Sequence, residues 1–324
     1  MTDKFTWRRG DLEIAPVTEE TWNLAYYSGD NHLAVSTLDG LVQHLLQRDA
    51  AVDLHEEIIL LLESTKAKNM PPELRKELVQ HGYLTVIVQG NPAVLTATGN
   101  VATSWKELVA AAARGAFPQG YVLAEPCHVE LKFHLPPTTY ATTALHNLLK
   151  ATIDGLGQAM FAASPGTKLT KWHTEDWWIT SLAASKKPTD REPRLEFRIV
   201  SGIQPCPAPA PDRNLLVDAT IAGSPPLFAS NMQKELAWRK RLRAQVMLPI
   251  AIPPTTRLAA GVIFTIEPSR MISADLDNFC VPAMTGLKAI ALSARNVVEL
   301  HAIKQIAGES DELSTQMRIW ALPG

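Results

Sequence analysis

Apolar residues recur along this chain at two periods, and the switches between them mark the elements. Leu38, Leu41, Val42, Leu45 and Leu46 follow i, i+3, i+4, i+7, i+8, the spacing of one helix face. A second helix is predicted over 54–65, and a third after Pro71-Pro72, with proline suited to a first helical turn. Ahead of them, Asp11-Leu12-Glu13-Ile14 alternates as a short strand does. Residues 1–80 therefore read as a small, mostly helical N-terminal domain.

From residue 81 the pattern changes and then repeats. Each copy starts with an apolar strand (84–88; 215–221), followed by a Pro-containing loop and a helix (about 102–114; about 231–247). Next come an alternating strand (128–133; 260–266) and a second helix (about 148–157; about 279–290). A strand pair closes each copy (179–184 and 195–200; 297–303 and 316–320). A single offset of 131 residues aligns Phe133 with Phe264, Pro137 with Pro268, Leu145 with Leu276 and Gly155 with Gly286. Such shared register is the mark of an internal repeat. Lys186 and Lys304 are only 118 apart, so the first copy carries 13 more residues (131 − 118), near 161–175.

The copies are predicted at 81–203 and 213–324, joined by a linker over 204–212. Pro205, Pro207, Pro209 and Pro211 make this linker stiff and extended. The predicted fold class is α/β, with two tandem units behind the N-terminal domain.

Charge divides along the same boundaries. Residues 1–79 hold 8 Lys+Arg against 14 Asp+Glu, whereas 80–211 hold 11 against 9 and 212–324 hold 12 against 10. An acidic leader thus precedes two mildly basic copies, which leaves a polyanionic partner open. The leader's acidity suits docking of a protein partner. No apolar run approaches the ~20 residues of a membrane helix, and the first residues lack a signal-peptide core. Three cysteines without metal spacing read as reduced thiols, so a cytoplasmic protein with no membrane association is expected.

The candidate chemistry lies in Asp275-Leu276-Asp277-Asn278, which aligns with Ala144-Leu145-His146-Asn147. In extended chain, carboxylates at i and i+2 point the same way, and together they suit a hard divalent cation such as Mg²⁺ or Mn²⁺. The competing reading is helix capping, with Asn147 and Asn278 as N-caps. His146 stands opposite Asp277, where an imidazole can ligate a transition metal or act as a base; a loop histidine without special role is the alternative. Arg239, Lys240, Arg241 and Arg243 wrap one helical turn and suit phosphate contacts. Lys168 and Lys171, beside Trp172, suit unpaired nucleic acid with stacking aromatics.

A strand, Asp-x-Asp-Asn, a helix ending near Gly-Leu, and a strand pair with a terminal Lys together resemble the RusA-type Holliday-junction resolvases. That family's pattern runs Asp-x-Asp-Asn-x-x-Lys, a helix Asp, an acidic pair, and an apolar strand ending in Lys. The first copy matches at Asn147, Lys150, Asp154, Glu175-Asp176 and Lys186, but carries Ala144 and His146 where aspartates belong. The second keeps Asp275 and Asp277, yet has Val281, Thr285 and Ser293-Ala294 at the other positions, with Lys304 ending its strand. Since the family's members are homodimers that cut branched DNA with a divalent metal, the resemblance implies a fused pseudo-dimer acting on branched or structured DNA. It implies Asp275, Asp277, Asp176 and Glu175 as metal ligands, with Lys150 stabilising transition-state charge. It also places Lys186 and Lys304 near nucleic acid.

Neither copy is complete. Either the pieces meet across the pseudo-twofold, or the fold survives as a non-enzymatic binding scaffold. An accidental match of a generic α/β protein is a third alternative. Carboxylates more than ~10 Å apart cannot share a cation, so one distance decides whether the pieces meet.

Overall fold

In the computed structural model of this chain, the described residues are 7–9, 12–16, 22–28, 31–35, 85–95, 100–116, 123, 125–161, 176–201, 214–227, 232–246, 248, 252–308 and 312–323. They belong to two units, one of residues 1–79 with 83–85 and one of 80–82 with 86–324.

In the first unit, strands β1 (Trp7–Arg9), β2 (Leu12–Pro16), β3 (Trp22–Ser28) and β4 (Asn31–Val35) form an antiparallel meander in that order. The strand expected near Leu12 is there, and three more accompany it. The described part of this leader is thus sheet rather than helix. Val, Tyr and Trp favour strands through their fit to a pleated surface, and Trp22, Tyr26, Tyr27 and Val35 lie in β3 and β4. The three predicted helices fall outside the described residues.

The second unit contains both predicted copies. The first runs β5 (Val86–Gln89), α1 (Asn100–Ala116), β6 (Cys127–Leu135), α2 (Pro137–Thr142), α3 (His146–Met160), β7 (Ile179–Pro188) and β8 (Arg194–Ser201). The second runs β9 (Asn214–Ala222), α4 (Met232–Gln245), β10 (Leu258–Ile266), α5 (Pro268–Met271), α6 (Leu276–Gly286), β11 (Val297–Ile306) and β12 (Ser314–Ala321). The predicted strands and longer helices all appear. The short helices α2 and α5 were not legible as helices, and each begins on the proline that the 131-residue offset aligns, Pro137 or Pro268. The proline-rich connector, 204–212, lies outside the described residues, between β8 and β9.

All eight strands form one mixed sheet in the order β5-β8-β6-β7-β11-β10-β12-β9. Read from either edge, the order of elements is the same. β6 pairs parallel with β7, placing Phe133 opposite Lys186; β10 pairs parallel with β11, placing Phe264 opposite Lys304. Each parallel ladder slips at its first pair, Cys127/His128 in one and Leu258/Ala259 in the other, again 131 residues apart. At the centre β7 and β11 run antiparallel, and Ala183 pairs with His301, its own counterpart at the 118-residue offset (301 − 183). A two-fold axis of the topology passes through that pair.

Helices α1, α3, α6 and α4 follow the same symmetric order, each touching the next. Glycines permit the close approaches. A Cβ on Gly155 of α3 would lie 2.9 Å from both the Lys106 carbonyl oxygen and the Val109 Cβ of α1. Its counterpart Gly286 faces Trp238 Nε1 at 3.1 Å and Leu242 Cδ2 at 3.2 Å on α4. Trp105 and Trp238 are buried on the facing helices, and Trp105 Nε1 donates to Thr152 Oγ1 at 3.1 Å. Phe133, Phe197, Phe264, Phe279, Leu131, Leu145 and Leu148 are buried, and Phe264 of β10 stacks on Phe279 of α6. A fully buried side chain of this size contributes roughly 1.5–3 kcal/mol of hydrophobic stabilisation. β10 departs from the predicted alternation: eight of its nine residues are buried, and it is an inner strand of the sheet.

Candidate metal centre

The Asp-x-Asp segment opens α6, but not as capping alone predicts. Asp275 is the N-cap, with extended backbone, and its side chain caps no backbone N–H. Asn278 lies inside the first turn and donates Nδ2–H to Asp275 Oδ2 at 2.9 Å. Asn147 likewise lies within α3, whose N-cap is Leu145. Neither asparagine is therefore the N-cap; Asn278 orients a carboxylate instead.

Asp277 points inward and is 1% exposed. Opposite it stands Asp176, also 1% exposed, at the start of a 3₁₀ turn, Asp176–Trp178, that leads into β7. Asp176, Asp275 and Asp277 each present an oxygen within 4.8 Å of the others. The pieces from the two halves therefore meet across the pseudo-twofold. Glu175 lies outside the described residues.

Lys150, on α3, reaches into the same cluster. Its Nζ is 2.9 Å from Asp154 Oδ1, 3.5 Å from Asp275 Oδ2, 3.6 Å from Asp277 Oδ2 and 3.8 Å from Asp176 Oδ2. Only the first is a hydrogen-bond distance. Lys106, from α1, holds the other oxygen of Asp154 at 2.5 Å. Four carboxylates thus contact two ammonium groups, which leaves two negative charges in excess.

The electrostatics follow from that excess. Burial, then the charge of Asp275, push Asp176 well above the usual carboxylate range, against the pull of Lys150. Burial raises Asp277 to about 6, with Lys150 opposing and Asp275 and Asp154 reinforcing the rise. Burial works against charge on Lys150 as well, but Asp277, Asp176, Asp154 and Asp275 together hold its pKa above the ordinary lysine value.

A divalent cation fits this donor set. Neither oxygen of Asp277, nor Asp176 Oδ2, has a hydrogen-bond partner among the described residues. A buried polar atom left so is costly, and metal coordination is one way to satisfy it. Two oxygens on one cation lie at most about 4–5 Å apart, given hard-metal bonds of roughly 2.0–2.6 Å. The three carboxylates already satisfy that spacing. Asp275 and Lys150 form the accessible rim, with side chains 22% and 26% exposed.

The strand-terminal lysines do something other than touch nucleic acid. Lys186 is 3% exposed and donates to the carbonyls of Tyr140 (2.9 Å), Thr143 (2.6 Å) and Arg295 (2.7 Å). Lys304 is fully buried and donates to Met271 O (3.2 Å) and Ala274 O (2.9 Å). Met271 and Ala274 are Tyr140 and Thr143 shifted by 131. Each lysine therefore ties down the loop ahead of the Asp-x-Asp position in its own half. Burial lowers both pKa values to about 8. The expectation that these two lysines reach nucleic acid is corrected: their ammonium groups serve the protein interior.

Of the α4 cations, Arg241 donates to Ala222 O at 2.9 Å, and Arg239 pairs with Glu235 at 3.6 Å. Lys240 and Arg243 are exposed and pair with no described acidic residue. Lys168 and Lys171 lie outside the described residues. His146 is buried, and burial with the nearby Lys186 charge lowers its pKa to about 4. It does not belong to the single metal-capable cluster found among the described residues. Cys127 and Cys280 are buried free thiols, and burial raises Cys127 to about 12.

Lys106 was missed. It stands forty-four residues before Lys150, on a helix with no motif, and only packing of α1 against α3 brings it to Asp154. No described helix is long and apolar enough to cross a membrane. Compared with known proteins, the chain matches no protein-family model and no curated sequence.

Proposed function

We propose that this chain is a metal-dependent nuclease of branched or structured DNA, built as a fused pseudo-dimer of two RusA-like units. The observation that carries the reading is the composite triad: Asp275 and Asp277 from one half, and Asp176 from the other, with their oxygens within 4.8 Å. The common fold, strand order and ladder register of the two halves support descent from one duplicated unit.

In this reading Asp176, Asp275 and Asp277 hold Mg²⁺ or Mn²⁺. A cation held there would supply an activated water and stabilise charge on a phosphoryl oxygen. Lys150 faces the accessible rim and places a fixed positive charge where phosphate oxygens gain negative charge. Asp154 and Lys106 position Lys150, and Asn278 positions Asp275. Hydrolysis adds water across one P–O bond, leaving a phosphate monoester and a hydroxyl. Lys240 and Arg243 on α4 supply phosphate contacts, whose contribution weakens with salt. The acidic leader is the surface for a protein partner.

The test is cleavage of four-way-junction and flap DNA with Mg²⁺ or Mn²⁺, comparing the full chain with Asp277→Asn. Cleavage lost in the variant supports the reading, and equal cleavage by both sinks it. One observation favours a second reading. Lys150 already stands within 3.8 Å of all three triad residues, as in an ion-pair knot retained for structure. Junction binding without cleavage, and without a metal requirement, would select that non-enzymatic scaffold.

A further inference from the structure

The axis through Ala183 and His301 makes every composite centre one of a pair. The triad takes its loop from the second half and its turn, Lys150 and Asp154 from the first. Its counterpart must take its loop from the first half and the rest from the second. The same offsets identify those positions as Ala144, His146, Val281, Thr285 and Ala294.

The counterpart positions are present as structure. A 3₁₀ turn, Ala294–Asn296, precedes β11 as Asp176–Trp178 precedes β7. Helix α2 touches that turn, and Lys186 crosses the halves to reach Arg295 O. The loops are held alike, by Lys186 on one side and Lys304 on the other. What differs is chemistry. None of the five side chains is a carboxylate. Ala144, His146 and Val281 are buried, and the Thr285 hydroxyl donates to Pro282 O at 3.2 Å within its own helix. The positions are filled, and they hold nothing that binds a hard cation.

The geometry points to one cation-dependent centre per fused pair, so that the chain cuts one strand of a two-fold-symmetric branched DNA per encounter instead of two strands together. This inference rests on the hydrolytic reading for its product and on the triad alone for its stoichiometry. A symmetric pair of cuts needs two centres about the axis, and among the described residues carboxylates cluster at only one. The flanking helices share the bias: α4 carries Lys234, Arg239, Lys240, Arg241 and Arg243, whereas α1 carries Lys106 and Arg114, with Lys106 engaged by Asp154.

Two measurements on the full chain separate this inference from the hydrolytic reading. Mn²⁺ titration followed by electron paramagnetic resonance is expected to give one tight ion per chain, lost in Asp277→Asn. Two ions, or none, would overturn the inference even in a protein that cuts nothing. Cleavage of a supercoiled plasmid with an extruded cruciform supplies the product test. A single cut releases the supercoiling and the cruciform is reabsorbed, so the expected product is nicked circle. Linear DNA formed without a nicked precursor would overturn the inference while upholding hydrolysis. No cleavage with one bound Mn²⁺ would overturn single-strand cutting and the hydrolytic reading while leaving one centre per chain standing.

Discussion

The triad and its counterpart lie at matched positions of the fold and differ above all in side chains. Around Asp277, burial is combined with like charge: three aspartates, with Asp154 beyond them, share Lys150. Around His146, alanine, valine and threonine stand where the other charged residues of the triad site would be, and the nearby charge is that of Lys186. One region is costly to fold and the other is not. A buried group of carboxylates is seldom the most stable filling of a core, and functional sites are where such cost is tolerated. Two incomplete halves thus make one complete set. Because the centre straddles the axis, losses in the loop of one half and in the turn of the other fall on the same counterpart.

The sharpest break of this comparison is Lys150→Met against Val281→Ala. Removing the ammonium leaves buried carboxylates uncompensated, at an expected cost of about 3–5 kcal/mol. The counterpart change removes two buried methyl groups and costs about 1–2 kcal/mol. Chemical denaturation of both variants measures the difference. Mn²⁺ is expected to raise the midpoint of the Lys150 variant and leave that of the Val281 variant no more shifted than wild type.

Asp277→Asn comes next. Loss of a ligand worth several kcal/mol in the transition state corresponds to a fall in cleavage rate on the order of a thousandfold. The metal-free variant is expected to be more stable than wild type, since the amide relieves repulsion and can donate to a neighbouring carboxylate. Melting in a chelator checks this, and a lower melting temperature would refute the electrostatic account. His146→Asn, at the counterpart, is expected to leave the cleavage rate within about threefold of wild type, an effect under about 1 kcal/mol.

The glycine pair gives a smaller contrast. A methyl on Gly155 meets a backbone oxygen and the Val109 Cβ at 2.9 Å, so Gly155→Ala is expected to destabilise by about 2 kcal/mol. Gly286→Ala meets side-chain atoms at 3.1 and 3.2 Å, and its gain in helix propensity of roughly 1 kcal/mol offsets the crowding. Near-equal losses would refute the asymmetry.

The smallest effect is pH dependence confined to the first half. Glu130 is partly desolvated, which opposes ionisation, but hydrogen bonds from His128 and Arg198 lower its pKa from 4.5 to about 2. Its position in the second half is Gly261. Because the folded-state pKa is depressed, the stabilisation is complete above about pH 4.5 and is lost as pH falls toward 2. Discounted for partial exposure, it amounts to roughly 1–2 kcal/mol. Glu130→Gln is expected to flatten the stability profile in that window, measured by urea unfolding between pH 2 and 5.

Much of this arrangement was legible in the chain. The 131-residue register, visible in Phe133/Phe264 and Gly155/Gly286, returned as matched ladders and matched helix contacts. Such features are local, since strand period, helix period and proline position depend on neighbours along the chain. The N-terminal strands after Leu12 were missed although Trp22, Leu24 and Tyr26 of β3 fall at the period of a strand. The lysines were misplaced for a different reason: a strand-terminal Lys looks solvent-facing, and nothing in its neighbours tells of the carbonyls that receive it.

The chain alone already carries one order of elements twice at a fixed offset, with Asp275 and Asp277 in one half, Asp176 and Lys150 in the other, and the full set in neither. That these residues form a single centre follows from the fold. Asp176 and Asp277 are separated by 101 positions (277 − 176), and no local rule spans that distance. Their meeting depends on the antiparallel pairing of β7 with β11, in the register that sets Ala183 against His301. A one-residue slip there would turn each side chain to the other face and part the carboxylates.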